Sequence, residues 1–247
     1  MCIKTSEELE ALRVIGRVVG FVLREMARQV KPGITTSELD QLGAKLLAEQ
    51  EARSAPPLLY GFPGAVCISV NDEVVHGVPG DRVITAGDLV KLDLTAEKDR
   101  YMADAALTVP VPPVSDLARR LTECAERAFR KAIQGARAYH RICDIGIAVE
   151  DEVKRSGFSV VRELCGHGIG RTIHEDPQVP NYADSRSRER FTEGLVVTVE
   201  PIIAAGRGDS MTGPDGWTVI TKDHSLSAHY EHTLVITRAD PVLLTAA

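Results

Sequence analysis

The sequence predicts an α+β fold built from two pseudo-symmetric halves, each with two helices followed by antiparallel strands. Three observations predict it. Thr85-Ala-Gly-Asp-Leu-Val-Lys-Leu-Asp93 aligns without a gap on Thr192-Glu-Gly-Leu-Val-Val-Thr-Val-Glu200, 107 residues later, and both segments end on a carboxylate. Leu39-Asp-Gln-Leu-Gly43 has a counterpart in Ile142-Cys-Asp-Ile-Gly146, 103 residues later. In each half, apolar residues at helical spacing give way to strand-like runs. The expectation is one catalytic-sized domain over residues 1–247, with halves at about 5–110 and 114–240 and no linker between them.

In the first half, Thr5-Ser6-Glu7-Glu8 has the form of a capping box. Leu9, Leu12, Ile15, Val18, Val19, Val22, Leu23, Met26 and Val30 then recur at helical spacing until Lys31-Pro32-Gly33 stops the helix. Thr35-Thr36-Ser37-Glu38 opens a second helix that carries Leu39, Leu42, Leu46 and Leu47. Pro56-Pro57 to Pro63-Gly64 reads as loop, and Ala65 to Val70 as strand. Two strands follow, Leu89–Thr95 and Tyr101–Val109, around the polar turn Glu97-Lys98-Asp99-Arg100. The second half opens with helices from Val114 to about Gly135 and from about Ile142 to Arg155. Ser227 to Ile236 reads as one late strand, and Pro214-Asp215-Gly216 as a turn before it.

Composition excludes several classes of function. A formal charge of −6 and a pI near 5.7 leave no basic footprint, so no specific nucleic acid is expected. The apolar run Val18 to Leu23 is flanked by Arg17 and Arg24 and is too short to cross a bilayer, so no membrane is expected either. The opening residues MCIKTSEELE contain no apolar signal core, which points to a cytoplasmic protein. Five scattered cysteines without CxxC spacing read as reduced thiols.

The chemistry lies in the strands. If Lys98-Asp99 is a two-residue turn, Asp93 and Asp104 face each other across the hairpin with Cβ atoms roughly 5 Å apart. Glu200 leads out of a strand in the second half and Glu231 lies in another, each acid of the Asp104/Glu231 pair followed three residues later by Leu. Any one of these acids could point to solvent. Four at symmetric positions call for a counter-charge, because paired carboxylates in apolar strands raise one another's pKa. Divalent ions are the economical answer.

Of the seven histidines, His140 and His224 sit in polar, solvent-exposed contexts, and His229 and His232 read as surface residues or as neighbours of ligands. His76, His167 and His174 remain. In Gly166-His-Gly-Ile-Gly-Arg-Thr-Ile-His-Glu-Asp-Pro177 the histidines lack HExxH spacing, and the glycines lack a phosphate-loop pattern.

Several strings in order, Val74-Val-His-Gly-Val-Pro79, Lys91-Leu-Asp-Leu-Thr95, Asp104, Cys165-Gly-His-Gly-Ile-Gly-Arg171, His174-Glu-Asp-Pro177, Thr198-Val-Glu-Pro201, Asp215-Gly-Trp-Thr218 and Ser227-Ala-His-Tyr-Glu-His-Thr233, resemble the type I methionine aminopeptidases. The resemblance runs from the first helix to about Thr237. It implies the pita-bread fold, a curved central sheet with pseudo-twofold symmetry. It implies removal of N-terminal methionine from peptides and nascent proteins during protein maturation, by a monomer in transient contact with the ribosome. Two divalent ions (Co, Mn, Fe or Zn) are implied, with Asp93, Asp104, His167, Glu200 and Glu231 as ligands and Asp104 and Glu231 bridging. By the same resemblance Glu200 is the general base for a water shared by both ions, His174 polarises the scissile carbonyl, and His76 binds the peptide near the leaving nitrogen. Phe62, Cys67 and Trp217 are implied in the methionine pocket.

The chain departs from the family pattern at Ile173, where an aromatic is common, and at Val75, where Cys is common. It also departs at Met102-Ala103 and over Pro56 to Tyr60. These changes touch the pocket and its rim, and Ile173 is expected to make the pocket roomier. Two other readings compete: a proline-directed peptidase of the same fold, and a catalytically weak binding homologue. Against the first stand the short chain and the strings His76-Gly-Val-Pro79 and Asp215-Gly-Trp217. Against the second stands retention of all five ligand residues.

Overall fold

The computed structural model describes residues 1–184 and 187–246. Its first two helices, α1 (Ser6–Gln29) and α2 (Thr36–Glu49), follow the apolar periodicity. At α2 the capping box is complete: Thr35 Oγ1 accepts from the Glu38 N–H, and the Glu38 carboxylate accepts from the Thr35 N–H. At α1 only half of the expected box forms. Thr5 caps the Glu8 N–H, but the Glu8 carboxylate accepts from the Lys4 N–H at 2.8 Å instead. Strand β1 (Arg53–Ser54) comes next. The stretch expected to be loop then contains a short helix, α3 (Ala55–Tyr60). Pro56 and Pro57 fall in its first turn, where a missing N–H costs nothing, and Gly61 ends it at φ +72°.

Strands β2 (Cys67–Val70), β3 (Glu73–Val75), β4 (Leu89–Lys98) and β5 (Tyr101–Pro110) complete the first half. The second half opens with α4 (Asp116–Ala132), a 3₁₀ turn over Ile133–Gly135, and α5 (Cys143–Arg155). Strands β6 (Ser159–Val160), β7 (Cys165–Gly168), β8 (Glu175–Pro180), β9 (Val196–Val199) and β10 (Ile202–Ala204) follow. The chain closes with β11 (Ser210–Thr212), β12 (Val219–Thr221), β13 (Ser227–His229), β14 (Glu231–Val235) and β15 (Val242–Leu243).

One central sheet runs β1-β4-β5-β14-β9-β7-β8, with β2 paired to β4 and β15 to β14. The halves meet where β5 pairs with β14. Two small sheets, β13-β10-β6 and β11-β12-β3, lie beside it. Each helix pair covers its own half. Val18, Val22 and Met26 of α1 pack with Val90, Leu92, Leu94, Ala103 and Ala105 of the first-half strands. Leu121, Ala125 and Phe129 of α4 pack with Val197, Val199 and Leu234 of the second. Side chains alternate across a strand, so the residues between these, Asp93, Asp104, Thr198, Glu231 and Thr233, point to the other face. The aligned Thr-x-Gly repeats also match in backbone. Gly87 and Gly194 each precede a strand, at φ +93° and +82°, a region costly for any other residue.

Two expectations about register fail. The hairpin turn is Asp99-Arg100, both at positive φ (+53° and +67°), with Lys98 opposite Tyr101. A two-residue turn that matches strand twist needs positive φ at both positions. Asp93 therefore faces Ala106, and Asp104 faces Thr95, so the two acids are diagonal neighbours on one face. The expected single strand over Ser227–Ile236 is two strands in different sheets, broken at Tyr230. Its partner breaks at the same level, between β9 and β10, at Glu200-Pro201. Proline has no N–H to continue a ladder, so the pair bends there.

Candidate metal centre

Five adjacent strands, β4, β5, β14, β9 and β7, each bring one of the expected donors to a single cleft. Asp93 sits on β4, Asp104 on β5, Glu231 at the start of β14, Glu200 directly after β9, and His167 on β7. Ala106 of β5 lies between Asp93 on one side and Glu231 on the other, so these form one row. In the second half, Val199 faces His232 and Ile202 faces His229. That register, carried across the bend, puts Glu200 opposite Glu231.

Hydroxyls fix the donors. Thr95 Oγ1 donates to Asp104 Oδ2 at 2.6 Å, and Thr198 Oγ1 donates to Glu200 Oε1 at 2.8 Å. Thr198 Oγ1 also accepts from the His167 N–H at 3.0 Å, and Thr233 Oγ1 accepts from the Asp104 N–H at 2.9 Å. The His167 ring pairs through Nδ1 with the Gly168 carbonyl at 2.9 Å, leaving Nε2 as the free donor 3.7 Å from Glu200 Oε1. Gly166 and Gly168 permit this crowding. A Cβ on either would lie 2.5 Å from the Thr198 carbonyl oxygen or 2.3 Å from that of Asp176.

The cleft, about 160 Å³, is lined by all eleven residues expected at the site. His76 and His174 both line it, and the His174 ring lies 4.4 Å from that of His167, centroid to centroid. Phe62 and Trp217 meet edge to face, with centroids 5.4 Å apart, and Cys67 lies buried beside Asp93. Ile173 is buried and belongs also to a core cluster with Leu12, Ala55 and Met102, so it fills interior space as well as forming cleft wall.

Burial pushes the carboxyls of Asp93, Glu200 and Glu231 well above the ordinary range, and their mutual repulsion with Asp104 adds to this. Asp104 is raised too, its burial partly offset by the hydrogen bond from Thr95. Burial pushes the imidazoles of His76, His167 and His174 down, toward their neutral, ligating form. Burial keeps the two cleft thiols protonated, holding Cys67 well above its normal value and Cys165 at about 11.

Divalent ions fit this donor set. Asp104 Oδ1 and Glu231 Oε1 are buried without a hydrogen-bond partner among the described residues. No lysine or arginine is among the described residues lining the cleft. Ligand atoms of Asp104, His167 and Glu231 lie within 4.8 Å of one another. Carboxylate oxygens with an imidazole nitrogen suit hard and borderline divalent ions.

The chain is similar to known proteins over nearly its whole length. Residues 10–238 match the profile of metallopeptidase family M24. The chain belongs to that family. As an M24 metallopeptidase it is 42% identical over 247 residues to methionine aminopeptidase 2 of Bacillus subtilis, covering 99% of each chain. It is 40% identical over 245 residues to the methionine aminopeptidase of Escherichia coli, covering 98% of this chain and 93% of that one. Its structure superposes on the methionine aminopeptidase of Thermotoga maritima with a TM-score of 0.96 at 33% identity, over the whole of both chains. Prolidase from Pyrococcus furiosus shares the fold, with a TM-score of 0.79 at 22% identity, but this chain covers only 66% of it. The fold is the pita-bread fold.

Sequence reading assigned no role to Thr95, Thr198 or Tyr60. Thr95 and Thr198 hold the carboxylates, and each lies two residues from an acid, the spacing that puts both on one strand face. Tyr60, at the end of α3, hydrogen bonds through its hydroxyl to His174 Nδ1 at 2.8 Å. His229 and His232 were expected at the surface or beside ligands, and burial excludes the surface for His229, which lies 3.3 Å from Glu231 Oε2. His232 is half-buried between Tyr230 and Thr245, while His229 is 1% exposed and lines the cleft. His140 and His224 are exposed, as expected.

Proposed function

We propose that this metallopeptidase removes N-terminal methionine from peptides and nascent proteins, and that both halves form one catalytic domain around a centre for two divalent ions. The observation that carries the reading is the convergence of five donors, one from each of five adjacent strands, on a cleft with unpartnered buried oxygens. Asp93, Asp104, His167, Glu200 and Glu231 would hold the ions, which could be Co, Mn, Fe or Zn. Bound there, divalent ions supply Lewis acidity for the scissile carbonyl and a water acidified toward neutrality.

The chain's own groups do the rest. Glu200, with Oε1 tethered by Thr198, takes the proton of the attacking water and hands it to the leaving amine. Donation from the Tyr60 hydroxyl to His174 Nδ1 leaves the Nε2–H to hydrogen bond the scissile carbonyl oxygen. His76 hydrogen bonds the peptide near the leaving nitrogen. It follows β3 directly, at a left-handed φ of +56°, and lines the cleft. Phe62, Cys67, Ile173 and Trp217 form an apolar pocket for the methionine side chain. The acid-lined end at Asp93 and Asp104 suits a free α-amine, which an internal peptide bond does not offer.

The substrates are peptide and nascent-chain N-termini, met by a cytoplasmic monomer in transient contact with the ribosome. Among the described residues no helix is long and apolar enough to cross a membrane. Metal-supplied protein incubated with Met-Ala-Ser and with an X-Pro dipeptide tests the reading. Release of methionine without X-Pro cleavage is expected. X-Pro cleavage alone would mark a proline-directed peptidase, and no turnover with any divalent ion would mark a binding homologue.

A further inference from the structure

We propose that His229 is a sixth protein donor to the metal centre and gives the ion held by Glu200 and Glu231 a second imidazole. The inference rests on the metal centre proposed above. His229 is 1% exposed and lines the same cleft as the five expected ligands. One ligand atom each from Glu200, His229 and Glu231 lie within 4.8 Å of one another. His229 Nε2 is 3.3 Å from Glu231 Oε2, yet neither ring nitrogen has a hydrogen-bond partner among the described residues. A buried imidazole with both nitrogens unsatisfied is costly. Donation to Glu231 is the plain alternative, but the contact lacks hydrogen-bond alignment. An ion between the three side chains satisfies Nε2 and the orphaned Glu231 Oε1 together.

The backbone holds the ring in place. The His229 N–H donates to Thr108 Oγ1 at 2.9 Å, and Thr108 Oγ1 donates to the His229 carbonyl at 2.8 Å. Across the bent pair, His229 faces Ile202. It lies two residues before Glu231 across the break at Tyr230, and both side chains line the same cleft. His167 comes from the far side, on β7, through the Nε2 that its Gly168 hydrogen bond leaves free. The two ends of the centre then differ: Asp93 lies at an end of oxygen donors, His167 lies within 4.8 Å of Asp104 and Glu231, and His229 adds a second nitrogen beside Glu200 and Glu231. Nitrogen donors favour Co(II), Zn(II) and Fe(II) over Mn(II), so His229 biases the ion it holds toward the former.

The test uses metal-free full-length protein and one equivalent of Co(II). Each coordinated imidazole contributes one exchangeable, hyperfine-shifted N–H proton resonance. Two are expected in the unmutated protein, one in His229→Gln, and a different one lost in His167→Gln. Calorimetry should show Co(II) affinity falling roughly tenfold or more in His229→Gln, with a smaller loss for Mn(II). A single resonance in the unmutated protein overturns the proposal, and that count needs no variant to fold. Two resonances and unchanged affinity in His229→Gln overturn it as well. Failure of the unmutated protein to bind Co(II) would instead sink the metal centre itself, and this proposal with it.

Discussion

The β4–β5 hairpin and the β9–β14 pair each hold two carboxylates, by different means. In the first half, two continuous ten-residue strands join through a two-residue turn, and Asp93 and Asp104 sit diagonally in unbroken ladders. In the second half, the pair bends at Glu200-Pro201 and Tyr230, and the acids stand opposite each other at the bend. The excursion between them carries β10 to β13 and delivers Ile202, Trp217 and His229 to the cleft. The β4–β5 hairpin thus contributes acids with the Thr95 hydroxyl, whereas the bent pair with its excursion contributes acids, imidazole and pocket wall. Pseudo-symmetry places the four carboxylates, and departure from symmetry opens room for a substrate.

The widest effect should come from breaking either half's acids. Asp104→Asn and Glu200→Gln are each expected to lower kcat for Met-Ala-Ser by roughly 10³-fold. Steady-state kinetics at saturating metal reads this, and a half that loses its acid without losing rate lies outside the centre. Next comes the excursion. Trp217→Ala should raise KM roughly tenfold, about 1.4 kcal/mol, because it strips apolar wall from the pocket. Metal content measured on the same sample should not change, which separates pocket from centre.

The helix pairs differ as well. α1 and α2 pack on apolar contacts, whereas α4 and α5 are also clamped by Glu152, which accepts from Arg127 Nε at 2.9 Å and also pairs with Lys131. Burial alone would raise the Glu152 carboxyl, but the hydrogen bonds from Lys131 and Arg127 outweigh it and hold the group below its ordinary 4.5. A carboxyl lowered in the folded state stabilises fully above its unfolded pKa, and that stability is lost as pH falls through the folded value. Glu152→Gln should therefore cost about 1 kcal/mol at pH 7, and in denaturant titrations the difference from the unmutated protein should shrink as pH falls below 4.5 and vanish once pH passes the lowered folded value. The smallest effect belongs to the tight hairpin. Arg100→Gly should raise stability by about 0.5 kcal/mol, since φ +67° strains any side chain.

Much of this was legible in the sequence because it repeats. Thr-x-Gly before a strand and an acid within or just after it recur 107 residues apart and point to Asp93 and Glu200, a second match 103 residues apart points to the helix pairs, and the rest of the expected donor set came from the resemblance to the methionine aminopeptidases. The rest depends on tertiary context. Nothing in Lys98-Asp99-Arg100 distinguishes one two-residue turn from the next, since no glycine marks the positive φ. Pro56-Pro57 reads as loop unless buried Ala55 is seen anchoring a helix start. The break at Tyr230 is set by Pro201 on the partner strand, which local sequence around Tyr230 does not contain. His229 was concealed by that break, although its spacing of two from Glu231 was visible.

The most direct test of a single centre shared by both halves is metal removal and restoration. Met-Ala-Ser hydrolysis would be followed in chelator-treated, metal-free protein as Mn(II), Fe(II), Co(II) or Zn(II) is added back separately. The account predicts no hydrolysis without metal and recovery with at least one of these ions, with no recovery in either Asp104→Asn or Glu200→Gln. Undiminished hydrolysis by the metal-free protein would contradict it.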